Sequence, residues 1–143
     1  FVMILSVELV PQSSWFTNLR SKLSKEKWDE LRRASYRKAG YVCEICGGKG
    51  LTHPVECHET WEYDDKKLVQ KLTGLISLCP LCHKVKHIGL SQMRGEYDIC
   101  VKHLMVVNKW TLEQARQHID ATVRQWQKHS LDDWTIDISF VQS

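Results

Sequence analysis

Leu5, Val7 and Leu9 alternate with Ser6 and Glu8 up to Pro11, a period of two that predicts a strand ending at the proline. The same alternation returns at the far end, where Trp134, Ile136, Ile138 and Phe140 are interleaved with Thr135, Asp137 and Ser139. The two terminal strands are expected to pair or to share a sheet. Between them the period changes. Ser24 is a candidate N-cap for a helix to about Ala39, with Glu26, Asp29 and Glu30 near its positive end. Trp28, Leu31 and Ser35 mark its inward stripe, and Gly40 stops it. His53–Trp61 and Leu72–Leu78 read as two strands joined by an acidic loop around Asp64 and Asp65. A helix should begin near Cys82 and carry His83 and His87 on one face, because residues four apart stack.

Two more helices follow. Ile99, His103, Val106 and Val107 suggest the first. Thr111-Leu112-Glu113-Gln114 is a capping-box pattern opening the second, with Trp110 and Ala115 in the staple positions. That helix places Leu112, Ala115, Ile119, Val123 and Trp126 at helical spacing, which suits a core stripe. No internal repeat, low-complexity tract or Pro/Gly linker interrupts the chain, so residues 1–143 are expected to form one domain.

Composition narrows the class. Hydrophobic residues at 43% and charged residues at 26% over 143 positions match globular usage and argue against wholesale disorder. No apolar run approaches the roughly 20 residues of a membrane span. Phe1–Leu5 is too short for a signal peptide, so Met3 reads as the natural start and the cytosol as the expected compartment. The net charge of +3 is modest, but its distribution is uneven. Eight basic residues face three acids between Arg20 and Lys38, six face two between Lys71 and Trp110, and Glu56–Asp65 holds five acids with no Lys or Arg. Two basic segments around an acidic one fit a nucleic-acid surface around a metal site, or an ordinary solvated surface.

The six cysteines carry the strongest local signal. Cys43-x2-Cys46 and Cys79-x2-Cys82 are separated by 32 residues, and the first pair runs into Gly47-Gly48, the turn of a zinc knuckle. Four thiolates in two such pairs match a tetrahedral structural Zn²⁺ site. A redox pair, an iron–sulfur centre and unligated core cysteines are the competing readings. Cys57 and Cys100 fall outside the pairs and are expected to be buried thiols. A knuckle, a hairpin and a helix opened by a second C-x2-C outline a treble-clef module. The fold class is therefore α+β: a zinc module over residues 41–90 in a mostly helical domain, with residues 1–40 and 91–143 packed on it and strands at the termini.

Chemistry beyond structural zinc rests on Cys82-His83-Lys84-Val85-Lys86-His87. Zinc needs only four ligands, so two histidines one helical turn apart are surplus to it and can grip a second divalent ion. Upstream, His58 stands on the first predicted strand within Val55-Glu56-Cys57-His58-Glu59. In the order C-x2-C, strand His, C-x2-C-H-x3-H, the stretch from Tyr41 to His87 resembles the HNH endonuclease family, whose ββα-metal motif sits inside a zinc knuckle in many bacterial and phage members. The resemblance implies hydrolysis of DNA phosphodiester bonds with one divalent ion, Mg²⁺ or Mn²⁺, held by His83 and His87, with a base on the first strand.

Two departures from the family pattern stand out. The usual Asn lies about nine residues before the helix His, where this chain has Gly74, which offers no side chain. The strand pair allows two registers. With His58 as base, Cys57 falls in the ligand position; with His58 as ligand, Glu59 falls in the base position. Lys84, Lys86, Arg33 and Arg37 are candidate DNA contacts, and Trp61 and Tyr63 could line the path. His53, His103, His118 and His129 have no clustered partners in the sequence and are expected to be structural. Specificity and double-strand cutting would call for a homodimer or an accessory subunit. The rival reading is a treble-clef zinc module that binds nucleic acid or a protein partner without hydrolysis.

Overall fold

The computed structural model describes residues 3–15 and 18–142. Their regular elements are α1 (Leu19–Lys22), α2 (Lys25–Lys38), β1 (Glu56–Asp64), β2 (Val69–Leu78), α3 (Pro80–Lys86), α4 (Ile88–Met93), α5 (Tyr97–Asn108), α6 (Leu112–His129) and β3 (Thr135–Asp137), with 3-10 turns at Gln12–Ser14 and Ser139–Val141. The result is an α+β structure of six helices and one mixed sheet, in the order β1-β2-β3. No helix is long and apolar enough to cross a membrane among the described residues.

The hairpin β1–β2 is antiparallel, with Glu56 opposite Leu78 and His58 opposite Ile76, and its register shifts between Thr60 and Trp61. Helix α2 packs on one face of the hairpin. Ser24 caps it by accepting from the Lys27 N–H, Trp28 and Ser35 are buried, and the Ser35 and Ser77 hydroxyls meet at 2.8 Å under the sheet. Its C-terminal end turns at Gly40, whose φ of +67° lies in the region that glycine enters without a Cβ penalty. Helix α3 packs against α5, and α5 packs against α6. Thr111 and Gln114 form the reciprocal capping box at the start of α6. One core cluster joins Leu5, Leu78, Val85, Leu104 and Ala115 around the cysteines; a second gathers Leu19, Trp28, Leu72, Ile138 and Val141 under the opposite end of the sheet.

Several expectations are corrected. Residues 5–9 are extended but belong to no sheet, because their polar backbone groups are taken by side chains and by the end of a helix. The Leu5 N–H donates to Asn108 Oδ1 at 2.8 Å and Asn108 Nδ2 donates back to the Leu5 carbonyl at 2.7 Å. The Val7 N–H donates to His118 Nε2 at 3.0 Å, and the Glu8 N–H to the Lys86 carbonyl at 3.2 Å. The terminal segments therefore do not pair. β3 instead lies parallel to β2, with Val69 opposite Thr135, and ends where Asp137 Oδ1 accepts the Ser139 N–H and turns the chain. In α5 the buried residues are Cys100, Val101 and Leu104, while Ile99 and Val106 face solvent. Helices α1 and α4 lie outside the elements that the sequence pattern predicts.

Asn108 serves both polar groups of Leu5, so Asn108→Ala is expected to destabilise the protein by about 1–3 kcal/mol, the cost of leaving partly buried backbone groups unpaired. Denaturant midpoints at unchanged slope measure it, and a shift within error would show that the N-terminal segment is held by its apolar contacts alone.

Candidate metal centre

Two groups of side chains that could hold a metal ion draw on α3 and its caps. The first is Cys43, Cys46, Cys79 and Cys82, whose sulfurs all lie within 4.8 Å of one another. The knuckle that delivers the first pair is tight: the Gly47 N–H donates to the Cys43 carbonyl and the Cys43 N–H to the Gly48 carbonyl, each at 2.9 Å, with Gly47 at φ +76°. Glu44 anchors it to the end of β2, its N–H reaching the Ser77 carbonyl and its carboxylate accepting the Ser77 N–H at 2.7 Å. The second pair opens α3. Cys79 is its N-cap and accepts from the Cys82 N–H, and Pro80 occupies the first turn, where no N–H is needed.

The donor set suits a tetrahedral Zn²⁺. Four sulfurs converge, and backbone N–H groups point at three of them: Cys46 to Cys43 Sγ, Gly48 to Cys46 Sγ and Cys82 to Cys79 Sγ. The hydrogen bond from Cys82 lowers the Cys43 thiol to about 4. Cys82 is correspondingly pushed up, and desolvation raises Cys79 to about 11. Cys57, outside the cluster, is half-buried rather than the buried thiol the sequence suggests, and desolvation raises it to about 11. His103 Nε2 lies 3.2 Å from Cys82 Sγ, a partner that its isolation in the sequence concealed.

The second group is His58 from β1, with His83 and His87 from α3 and its C-cap. One nitrogen of each ring lies within 4.8 Å of the others, and the centroids are 4.7–5.3 Å apart in edge arrangements. His83 Nε2 and His87 Nε2 are 3.1 Å apart, near the separation of about 3.4 Å between two nitrogens of a tetrahedral site at ordinary zinc–nitrogen lengths. His83 is oriented by Glu56, whose Oε1 accepts from Nδ1 at 2.7 Å while its Oε2 meets His53 Nε2 at 2.6 Å. An ionised carboxylate only accepts, so Nδ1 carries the proton and the His83 Nε2 lone pair faces the cluster. Burial pushes Glu56 up, but its two histidine partners outweigh this and hold it below the ordinary carboxylate value. Desolvation lowers His83 despite Glu56, and lowers His87 together with the two neighbouring imidazoles, although part of His87 still faces solvent. Both rings are neutral near pH 7, the form that binds a cation.

The other candidate residues are dispersed. Glu59 lies outside the histidine cluster; its Oε1 accepts the Leu19 N–H at 3.0 Å at the start of α1, and burial raises its pKa. Gly74 stands opposite Thr60, and a Cβ there would come within 3.3 Å of Thr60 Oγ1. Lys84 is paired with Glu96. Lys86 is only 7% exposed, its ammonium donating to Ser6 Oγ at 2.8 Å and lying 3.1 Å from Glu8 Oε1, so it faces the interior. Arg33 and Arg37 are exposed on α2; the cleft of about 510 Å³ beside His83 and His87 is lined instead by Arg20, Arg32, Arg94 and Lys84. Tyr63 stacks on His129 at 5.0 Å and meets Trp134 edge-on, so it is engaged in packing. His53 is tied to Glu56, His118 to Val7 and His129 to Asp65.

Glu8 is the residue that sequence reasoning missed. Its Oε2 lies 2.8 Å from His58 Nε2, across 50 positions of chain, and His58 is 5% exposed. Within its alternating segment Glu8 reads as a solvent-facing polar residue, and no local signal ties it to residue 58. No protein-family model, curated protein or solved structure matches the chain.

Proposed function

We propose that the protein is an HNH-type endonuclease, a treble-clef ββα-metal module that hydrolyses DNA phosphodiester bonds with a divalent ion. The convergence of His58, His83 and His87 beside a four-cysteine centre is the observation that carries this reading. A purely structural zinc module has no use for three imidazoles whose ring nitrogens converge to within 4.8 Å. His58 is then a ligand rather than the base. A divalent ion bound there supplies charge stabilisation to the scissile phosphate and its leaving 3′ oxygen. Arg20, Arg94 and Lys84 line the adjoining cleft and bind the phosphate backbone, an electrostatic contribution that weakens with salt. The proton of the attacking water falls to Glu59, whose burial raises its pKa towards the range a general base needs.

Two observations favour the rival reading, a zinc module that binds DNA without cutting it. Glu59 already accepts the Leu19 N–H, and Gly74 supplies no side chain where the family has Asn. Supercoiled plasmid separates the two. The nuclease reading expects nicking that EDTA stops. Imidazole ligands suit later transition ions and Mg²⁺ prefers oxygen, so Mn²⁺, Co²⁺ or Ni²⁺ should support faster nicking than Mg²⁺. Intact plasmid in every ion, with zinc retained and salt-sensitive DNA binding, would establish the rival.

A further inference from the structure

The histidine cluster is not built by the hairpin and α3 alone. Glu8 comes from the extended N-terminal segment, which Asn108, His118 and the Lys86 carbonyl fix in place. Its carboxylate is divided between two partners. Oε1 lies 3.1 Å from the buried Lys86 ammonium, and Oε2 lies 2.8 Å from His58 Nε2. A carboxylate held between a buried ammonium and an imidazole in this way is ionised and accepts only. The His58 nitrogen that meets it therefore carries a proton and has no lone pair for a cation. Glu8 is not among the three residues whose ligand atoms mutually approach within 4.8 Å, although it lines one cavity together with His58 and His87. Glu56 does the same for His83 through the opposite ring nitrogen, Nδ1.

Resting on the reading of His58 as a ligand, we propose that Glu8, braced by Lys86, is a positioning residue that commits His58 to its Nε2–H tautomer. His58 then presents Nδ1 to a divalent ion, whereas His83 presents Nε2. Two carboxylates from different parts of the chain thus lock two of the three imidazoles, and residues 5–9 belong to the metal site. An ordinary surface ion pair would have no such effect. The pair here joins a histidine that is 5% exposed to a lysine that is 7% exposed.

The test uses the whole chain with Zn²⁺ in the cysteine centre and needs no DNA. Co²⁺ is titrated into wild-type, Glu8→Gln and Glu8→Ala proteins and followed by its visible d–d bands, while thiolate charge-transfer bands would report any exchange at the cysteines. Glu8→Ala should weaken Co²⁺ binding by about 10- to 100-fold. Glu8→Gln, which keeps the shape and an acceptor oxygen, should lose less. Long-range ¹⁵N spectra of the histidine-labelled protein, with Zn²⁺ at the histidines, should show His58 metallated at Nδ1 and protonated at Nε2. A purely structural role would move neither the tautomer nor the affinity. Metallation of His58 at Nε2, Co²⁺ binding by Glu8→Ala within twofold of wild type, or no Co²⁺ uptake at the wild-type histidines would each overturn the proposal. A protein that passes these tests yet never nicks plasmid refutes the nuclease reading and leaves this one standing.

Discussion

Cys82→Ser, or removal of metal from the cysteine centre by a strong chelator, should abolish the cooperative fold at 37 °C. Cys43, Cys79 and Cys82 are buried, at 2%, 5% and 0% exposure, in the same cluster as Leu78, Val85, Leu104 and Ala115. Losing the metal therefore does not fray an edge. It leaves a buried thiolate without its cation and releases the knuckle from the end of β2, at the point where β2 passes into α3. Structural zinc contributes about 10–16 kcal/mol in small zinc modules, and a domain this size has a net stability of about 5–15 kcal/mol. The loss is of the order of the whole stability. Native mass spectrometry should find zinc in the wild type and none in Cys82→Ser, while circular dichroism should show a broadened or absent thermal transition. Cys57→Ser is the control, because Cys57 lies outside the cluster and should keep its zinc. A sharp, wild-type transition in the metal-free protein would mean that the four cysteines are core residues and not a folding centre.

What the sequence made legible was local in chain distance. The knuckle, the caps at Ser24 and Thr111, the hairpin and the C-H-x3-H run each lie within a window where spacing constrains geometry, and all four are present, although the hairpin strands run Glu56–Asp64 and Val69–Leu78 rather than His53–Trp61 and Leu72–Leu78 and take Asp64 out of the loop. The failures have one physical cause. The alternation of residues 5–9 reports correctly that one side of the segment is buried, since Leu5 and Val7 are core. It cannot report who satisfies the backbone. A strand and an extended strap held by Asn108, His118 and a helix carbonyl bury the same side chains. In α5 the stripe is displaced by a residue because Cys100 and Leu104 face the core between α3 and α6, leaving Ile99 and Val106 to solvent. The site shows the same division. His83 and His87 were evident from their spacing, and His58 from strand position. The groups that orient them were not: Glu56 is 27 residues from His83, and Glu8 is 50 from His58. Arg33 and Arg37, the basic residues of α2 that the charge run singles out, are exposed, while Arg32 on the same helix lines the cavity beside His83.

His83→Ala should reduce plasmid nicking by at least three orders of magnitude while leaving zinc in the cysteine centre. The argument is geometric. The three rings form a nearly equilateral triangle, with centroids 5.3 Å (His58–His83), 5.1 Å (His58–His87) and 4.7 Å (His83–His87) apart, so removal of His83 takes away one corner and leaves two imidazoles, too few to hold an ion tightly. It is half-buried, and its loss frees Glu56, which keeps His53 as a partner and remains near solvent, so the fold should survive. Glu59→Gln provides the second arm. As the base it should lower kcat by about 10²–10⁴ at unchanged metal affinity, since a general base contributes about that much and Gln can still accept the Leu19 N–H. The pair of variants divides the chemistry by what each one loses. His83→Ala should be partly rescued by raising the divalent ion concentration, because it weakens a binding equilibrium. Glu59→Gln should not be rescued at any concentration, because no amount of ion restores a proton acceptor. Full activity in Glu59→Gln would leave Glu59 as no more than the cap of α1, and the base would have to be sought among the groups that line the cleft with Arg20 and Arg94.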